Sequence, residues 1–469
     1  MAEQKYDLII VGGGAGAFAA AIKADELGAK AAIVNDGLPL GGTCVNVGCV
    51  PSKTLLYAGE VLHLAKNHGI PGIELEVKDF NFGKVVADEL ALVEKMRNEK
   101  YEGVLEHLKN VTLVEGRAKF VSETEVKVNG ERLVADKFII ATGSTANVPP
   151  IKGIKEAGYL THIEALKLDS QPKELVVVGG GAIALEFSQM FARFGTKVTM
   201  LVRGEKIFRQ GDENLVRRLL EVFFKEGIQV INEASVKSVR KKGNIKIISY
   251  EVDGKVEEIP CTEILLAAGK TANTDGLGLE QVGVEVNDRK SVVVNENFQT
   301  KNKNIFAVGD VVALPLRLET TAGSEGTLAA ENILKGTQNK IDYDTVPYTI
   351  FTDPQLAGVG LTEDEQMKRM KTCACRTVPF DKIPKAAIMR RTEGLISMSI
   401  HPETTQIKGV HILAPNAGEL IAEAMMLVKN KNTINDVINS VPMFPTLSEA
   451  IKLVALSFRK DISKLSCCI

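Results

Sequence analysis

Short apolar runs that stop at glycine and give way to helical stretches set the rhythm of the first three hundred residues. Tyr6-Asp-Leu-Ile-Ile-Val11 reads as a strand and halts at Gly12-Gly13-Gly14. The Ala-rich stretch to Leu27 predicts a helix and Ala31 to Val34 a second strand, which makes a β-α-β unit. The pattern recurs at Leu175-Val-Val-Val-Gly179-Gly180-Gly181, with a helix through Phe194 and a strand from Lys197 to Val202. Further strands are predicted to end in Ile139-Ile-Ala-Thr-Gly143, Leu265-Leu-Ala-Ala-Gly269 and Asn304-Ile-Phe-Ala-Val-Gly309-Asp310. From about Pro347 the texture changes to strands with a long helix, Ala417 to Lys429, and a terminal helix, Leu447 to Phe458. A separate α+β unit is expected there.

The two glycine turns carry chemistry as well as topology. In a strand-turn-helix with spacing G-x-G-x-x-G/A, the first glycine permits the turn and the second admits a pyrophosphate. The third position lets helix and strand pack, and the helix N-terminus faces the phosphates. Gly12, Gly14 and Ala17 fit, as do Gly179, Gly181 and Ala184. One such match is often only a turn; two in the same context imply two bound nucleotides. Arg203 ends the second strand of the second unit, where an acid normally binds the adenine ribose, and Arg209 can reach the same region. An arginine there accommodates a 2′-phosphate, so NADPH is expected over NADH. The first unit has Asn35-Asp36 at the corresponding strand end, either of which can bond a ribose hydroxyl.

Composition narrows the class of partner. The 469 residues exceed the ~100–200 of one ordinary domain, so two to four packed units are expected. Lys and Arg number 57 against 59 Asp and Glu with no long run of one sign, which points to small-molecule partners and away from nucleic acid. No window approaches a membrane span and the start runs straight into a strand without a leader pattern, so a cytoplasmic location is expected. The seven cysteines fall as Cys44/Cys49, Cys261, Cys373/Cys375 and Cys467/Cys468, a spacing that suggests thiol chemistry or metal binding in a reducing compartment. Cys261, ahead of an apolar strand, reads as core, and Cys373 and Cys375 as strand residues sharing a face of ordinary sheet.

Gly41-Gly-Thr-Cys44-Val-Asn-Val-Gly-Cys49-Val-Pro-Ser-Lys53 sets two thiols five residues apart at a helix start, where the helix N-terminus and a nearby lysine favour thiolate. This stretch resembles the redox-active disulfide of the flavoprotein disulfide reductases, and the resemblance covers essentially the whole chain. It implies an α/β fold of two Rossmann-like domains, for FAD and NADPH, plus a C-terminal α+β dimerisation domain. The expected division is 1–150 and 276–345 for the FAD domain, 151–275 for the NADPH domain and 346–469 for the interface domain. It further implies a homodimer whose C-terminal domain completes the partner's active site. Carried over by position, Cys49 lies against the flavin, Cys44 meets the substrate, and Lys53 pairs with Glu186 near flavin N5. Asp310 holds the ribityl chain, and Gly37, Thr43, Ala118, Thr142, Gly143, Gly269 and Leu318 match further nucleotide contacts.

Disulfide-reducing members present His-Pro-Thr-x-x-Glu near the C-terminus, where the histidine is the acid/base. This chain has Phe444-Pro445-Thr446-Leu-Ser-Glu449, and none of its six histidines falls in that motif. It carries instead the adjacent terminal thiols Cys467 and Cys468, similar to the metal-binding pair of the mercuric reductases. Adjacent Cα atoms are ~3.8 Å apart, below the usual disulfide range beginning at ~4.4 Å, so two free thiolates gripping a soft cation suit the pair better. The implied activity is NADPH-dependent reduction of thiol-bound Hg(II) to Hg(0) through FAD and Cys44/Cys49, the ion arriving from Cys467 and Cys468 of the partner subunit. The FAD unit begins at Tyr6, so delivery is expected to rely on that pair alone. Some relatives have tyrosine at the positions of Phe444 and Ala182, so no phenolic oxygen is expected to help hold mercury here, and Ala182 leaves the nicotinamide pocket open. The alternatives are a thioredoxin-reductase-like protein disulfide reductase and a flavoprotein that sequesters thiophilic ions without turnover.

Overall fold

In the computed structural model, which describes residues 5–466, the first apolar run becomes the strand Lys5–Val11 in the middle of a parallel sheet. The parallel order is Val111–Glu115, Ala31–Asn35, Lys5–Val11, Glu131–Ile140, Ile305–Ala307, so the last strand returns to this sheet from far along the chain. An antiparallel hairpin, Ala118–Ser122 and Glu125–Val128, joins the first half of Glu131–Ile140. Leu8 and Ile10 are fully buried against the helices Ala15–Glu26 and Glu319–Lys335, and Ile9 against the hairpin and the segment 277–292 on the other face, which is why the strand reads as a continuous apolar run.

The second unit repeats the order with Gln229–Ile231, Lys197–Leu201, Glu174–Val178 and Glu263–Leu266, all parallel. Along the chain, between Gln229–Ile231 and Glu263–Leu266, comes an antiparallel sheet, Ser235–Lys242, Ile245–Val252 and Lys255–Cys261. Cys261 closes it fully buried, and burial pushes its thiol up to about 12, in keeping with a core role. The C-terminal unit is a five-stranded antiparallel sheet in the order Tyr348–Ile350, Gln355–Gly360, Ile407–Ala414, Leu395–Ile400, Ala374–Pro379. The helices Ala417–Lys429 and Glu449–Leu456 bury Ile421, Ala424, Ile451 and Val454 in the same core. Among the described residues no helix is long and apolar enough to cross a membrane.

One expectation is corrected at the edge of this sheet. Cys373 and Cys375 are disulfide-bonded, with Cα atoms 6.2 Å apart, rather than independent strand residues. Cys373 precedes the edge strand and Cys375 lies within it; side chains two apart share a face, which brings the two sulfurs together.

The Ala-rich composition of Ala15–Glu26 has a packing cause. Its buried face, Gly16, Ala17, Ala20, Ala21 and Ala24, lies against the helix Glu319–Lys335, which comes from the late return of the chain. A Cβ on Gly326 would stand 2.1 Å from the Gly16 carbonyl oxygen, so the two backbones touch. Gly323, one turn earlier, has open space around it. Gly326→Ala is therefore expected to destabilise the protein by ~1–3 kcal/mol through overpacking, with Gly323→Ala neutral or slightly stabilising. Denaturant unfolding of the two variants side by side checks this, and equal midpoints would show that the contact relaxes freely.

Candidate functional site

Each glycine turn is built so that no side chain could share it. Gly12 has φ +129° and Gly179 φ +144°, and a Cβ at either would stand 2.2 Å from a carbonyl oxygen, that of Ala141 and Ala267 respectively. The chain then enters helices Ala15–Glu26 and Ala182–Arg193 at Gly14 and Gly181, neither of which supplies a side-chain cap. The first-turn amides are left for an external acceptor, and Ala17 and Ala184 are fully buried behind them. A bare backbone cradle at a helix N-terminus fits the pyrophosphate of a dinucleotide in both units.

Around the first cradle, Asn35 is engaged in the protein itself: its Nδ2 donates to the Leu38 carbonyl at 3.0 Å, and its amide covers Gly13. Asp36 beside it is exposed and is followed by Gly37 at φ +88°. Thr142 Oγ1 donates to the Asn273 carbonyl at 2.7 Å, Gly143 and Gly269 both have positive φ, and Ala118 is buried in the hairpin. Asp310 accepts a hydrogen bond from Ser144 Oγ at 2.6 Å. In the second unit Arg203 and Arg209 are exposed, and the Arg209 guanidinium folds back over Gly204, beside Arg203. Among the described residues neither arginine has an ion-pair partner, so both charges face solvent at the strand end.

The thiol segment is laid directly on the first cradle. Gly41 donates its N–H to the Gly13 carbonyl at 2.8 Å, and a Cβ on Gly42 would come within 2.7 Å of Gly14 Cα. Asn46 donates to the carbonyls of Pro39, Leu40 and Gly42, which pins the short helix Gly42–Val47 that carries Thr43 and Cys44. Gly48 breaks it, and Cys49 becomes the first residue of the helix Cys49–Asn67. Both cysteines are free, Cys44 half-buried and Cys49 exposed. The Cys44 thiol donates to a Glu319 carboxylate oxygen and also faces Cys49. Its hydrogen bond to Cys49, then burial, hold Cys44 well above the ordinary thiol range. Cys49 is held below that range, chiefly by the hydrogen bond it accepts from Cys44 and further by the charge of Lys53, against the opposing effect of burial. Glu319 and Cys49 thus compete for the single Cys44 proton, and Cys49 is the sulfur that favours the thiolate.

Lys53, one turn into the same helix, donates to Glu186 Oε2 at 2.7 Å. Glu186 is only 4% exposed and stands on the helix that begins at the second glycine turn; its other oxygen accepts the Phe351 N–H at 2.9 Å. The Lys53 ammonium also lies 4.8 Å from the centre of the Phe351 ring.

Two residues at this site were not singled out in the sequence. Glu319, first residue of the helix Glu319–Lys335 and neighbour to Leu318, turns its carboxylate to the thiols. Tyr101 donates to the other Glu319 oxygen at 3.4 Å, its ring held edge-on by Phe18. A phenolic oxygen thus stands near the thiols, bonded to Glu319, on a tyrosine brought in by the segment Asn98–Glu102 and at neither of the positions of Phe444 and Ala182. Burial, then the charge of Glu319, raise the Tyr101 phenol above its ordinary range, so it remains protonated. Cys44, Cys49 and Glu319 offer one ligand atom each within 4.8 Å of one another, and no histidine joins them among the described residues. Phe444 is 43% exposed on the segment before Glu449, and Cys467 and Cys468 lie outside the described residues.

Comparison with known proteins bears on the whole chain. The family model described as pyridine nucleotide-disulphide oxidoreductase matches residues 6–331, and that of its dimerisation domain matches 346–455. A mercuric reductase from Lysinibacillus sphaericus is 38% identical over 466 residues, covering 99% of this chain and 85% of the relative. One from Streptomyces lividans is 36% identical over 469 residues, covering 99% and 98%. Among solved structures, the Cu(II) complex of the HOCl-induced flavoprotein disulfide reductase RclA from Escherichia coli superposes with a TM-score of 0.87 at 25% identity, covering 97% of this chain and all of that one.

The unequal thiols make a pH prediction. In the reduced protein Cys49 should alkylate with iodoacetamide at neutral pH and below, where an ordinary thiol is slow, while Cys44 should react only as pH rises beyond the ordinary thiol range. Cys44→Ala removes the donor, so the Cys49 rate profile should move to higher pH. Fragment-ion mass spectrometry assigns the two sites, and equal rates at both would refute the asymmetry.

Proposed function

The chain belongs to the pyridine nucleotide-disulphide oxidoreductase family and groups within it with the mercuric reductases, and on that footing we propose that it reduces thiol-bound Hg(II) to Hg(0) with electrons from NADPH. The observation that carries the proposal is the convergence of Cys44, Cys49 and Glu319 in a chain whose C-terminal motif has Phe444 where disulfide-reducing members have the acid/base histidine. Cleavage of a disulfide substrate calls for an acid that protonates the leaving thiolate, whereas binding a soft cation calls only for thiolates.

FAD is the cofactor proposed for the first cradle, held by Gly12, Gly14, Ala17, Gly37, Thr43, Ala118, Thr142, Gly143, Asp310 and Leu318, with Asp36 the free acid at the strand end. Asn35, tied to the Leu38 carbonyl, shapes the turn. When bound, the flavin supplies the two-electron relay between nicotinamide and thiols. NADPH is assigned to the second cradle of Gly179, Gly181 and Ala184 with Gly269 nearby, its 2′-phosphate met by Arg203 and Arg209. Neither arginine is committed elsewhere, which supports that assignment.

The chain's own part in the reaction then follows from its geometry. Glu186 Oε2 lies 2.7 Å from Lys53 Nζ, which fixes the lysine at the start of the thiol helix. Cys49 as thiolate and Cys44 as thiol exchange onto the incoming ion and displace the two thiolates that carried it, one of which takes the Cys44 proton as the second sulfur–mercury bond forms. Two electrons then convert bound Hg(II) to Hg(0), which thiolates no longer retain. Delivery is proposed to come from Cys467 and Cys468 of a partner subunit in a homodimer, in keeping with the dimerisation domain matched over residues 346–455.

The purified holoenzyme, given NADPH, excess small thiol and Hg(II), is expected to consume NADPH in step with released Hg(0), and Cys44→Ala or Cys49→Ala should abolish both. Turnover with oxidised glutathione or thioredoxin and none with Hg(II) would sink the proposal; Cu(II) serves as the comparison ion. Replacing Arg203 and Arg209 together by alanine is expected to raise KM for NADPH at least about tenfold while leaving that for NADH nearly unchanged, since each charge-assisted contact contributes about 1.5–3 kcal/mol.

A further inference from the structure

Reduction of a linear, two-coordinate ion requires two sulfurs and nothing more, yet a third donor stands at the thiol pair. Glu319 has no part in the cradle turns or in the Lys53–Glu186 pair, and its carboxylate is aimed at Cys44 from the first residue of a long helix. The carboxylate is held on its far side by Tyr101, itself fixed by Phe18. A ligating carboxylate whose other oxygen is hydrogen-bonded keeps its orientation when the metal arrives. With metal–sulfur bonds of about 2.3 Å, donors around a trigonal or tetrahedral ion stand about 3.8–4.0 Å apart. The three ligand atoms here, all within 4.8 Å of one another, can close on one ion with small rotations of their side chains.

We propose that Glu319 is a third metal donor, making Cys44, Cys49 and Glu319 a mixed sulfur–oxygen site that binds borderline divalent cations of the Zn(II) and Cd(II) class in addition to a linear bis-thiolate ion. The proposal rests on the reading of Cys44 and Cys49 as ion-binding thiolates. Zn(II) and Cd(II) share the preference for three or more ligands and for oxygen alongside sulfur. Binding displaces the thiol proton of Cys44 to solvent and involves no electron transfer, so these ions occupy the site as inhibitors. Hg(II), satisfied by two sulfurs, draws little from the carboxylate. Glu319 therefore sets which ions compete with the substrate.

The test uses NADPH-reduced holoenzyme carrying Cys467→Ala and Cys468→Ala, so that the terminal thiols contribute nothing. Cd(II) is titrated while thiolate-to-metal charge-transfer absorbance is followed, in the presence of Glu319 and in Glu319→Gln and Glu319→Asp. Loss of Cd(II) affinity by about tenfold or more in Glu319→Gln, with partial retention in Glu319→Asp, is the expected result. Equal Cd(II) affinity in all three, with unchanged flavin absorbance and unfolding midpoint, would overturn it. A parallel Hg(0) release assay on the wild-type protein separates the two readings: Glu319-dependent Cd(II) binding without Hg(0) release would refute mercury reduction and leave the three-donor site standing. Hg(0) release with Cd(II) binding indifferent to Glu319 would do the reverse.

Discussion

One carboxylate holds the three units in register. Glu186 belongs to the second unit, bonds the Lys53 ammonium of the thiol helix with one oxygen and takes the Phe351 N–H of the C-terminal unit with the other. The same helix face continues the work. Gln189 exchanges hydrogen bonds with the Asp353 backbone, and Arg193 bridges Glu226 and Asp353 from a position 5% exposed. Arg391 adds a second cation to Asp353 and reaches Glu60 on the thiol helix. Removing one partner of such a buried ionic pair typically costs about 3–5 kcal/mol, because the other charge is left without compensation. The thiols, the second nucleotide turn and the C-terminal sheet are thus kept at fixed distances by a row of polar groups, where apolar packing alone would permit sliding.

Much of this was legible along the chain because it depends on local spacing. The turns at Gly12 and Gly179 need glycine for a positive φ and for a carbonyl 2.2 Å from where a Cβ would be, and the helices that follow need small residues. Cys49 at a helix start and the strands flanking the turns follow from the same short-range rules. The pairing of Lys53 with Glu186, 133 positions apart, came from family resemblance and not from any local signal.

What escaped was what the topology brings together from afar. Glu319 lies 275 residues from Cys44 and follows an irregular stretch, so nothing near it in the chain marks it as facing a thiol. Tyr101 sits in a one-turn irregularity between helices, among exposed charged residues, and reads as surface. Its ring packs on Phe18 only because the helix Ala15–Glu26 is already fixed by the sheet. The Cys373–Cys375 bond was hidden for a different reason: the spacing that places two side chains on one face of a strand is compatible both with two separate thiols and with their union.

The strand Ile305–Ala307 pairs with Phe138–Ile140, so the first sheet gains its last parallel strand only after the whole second unit has been made. On a ribosome adding about 5–20 residues per second, the edge at Phe138–Ile140 would wait roughly ten to thirty seconds for its neighbour, and Gly16 would wait longer for Gly326. An open apolar strand edge of that duration is an aggregation hazard. Growth temperature and chaperone supply during synthesis would therefore bear on the yield of this protein, and a circular permutation that makes 276–345 early would relieve the delay.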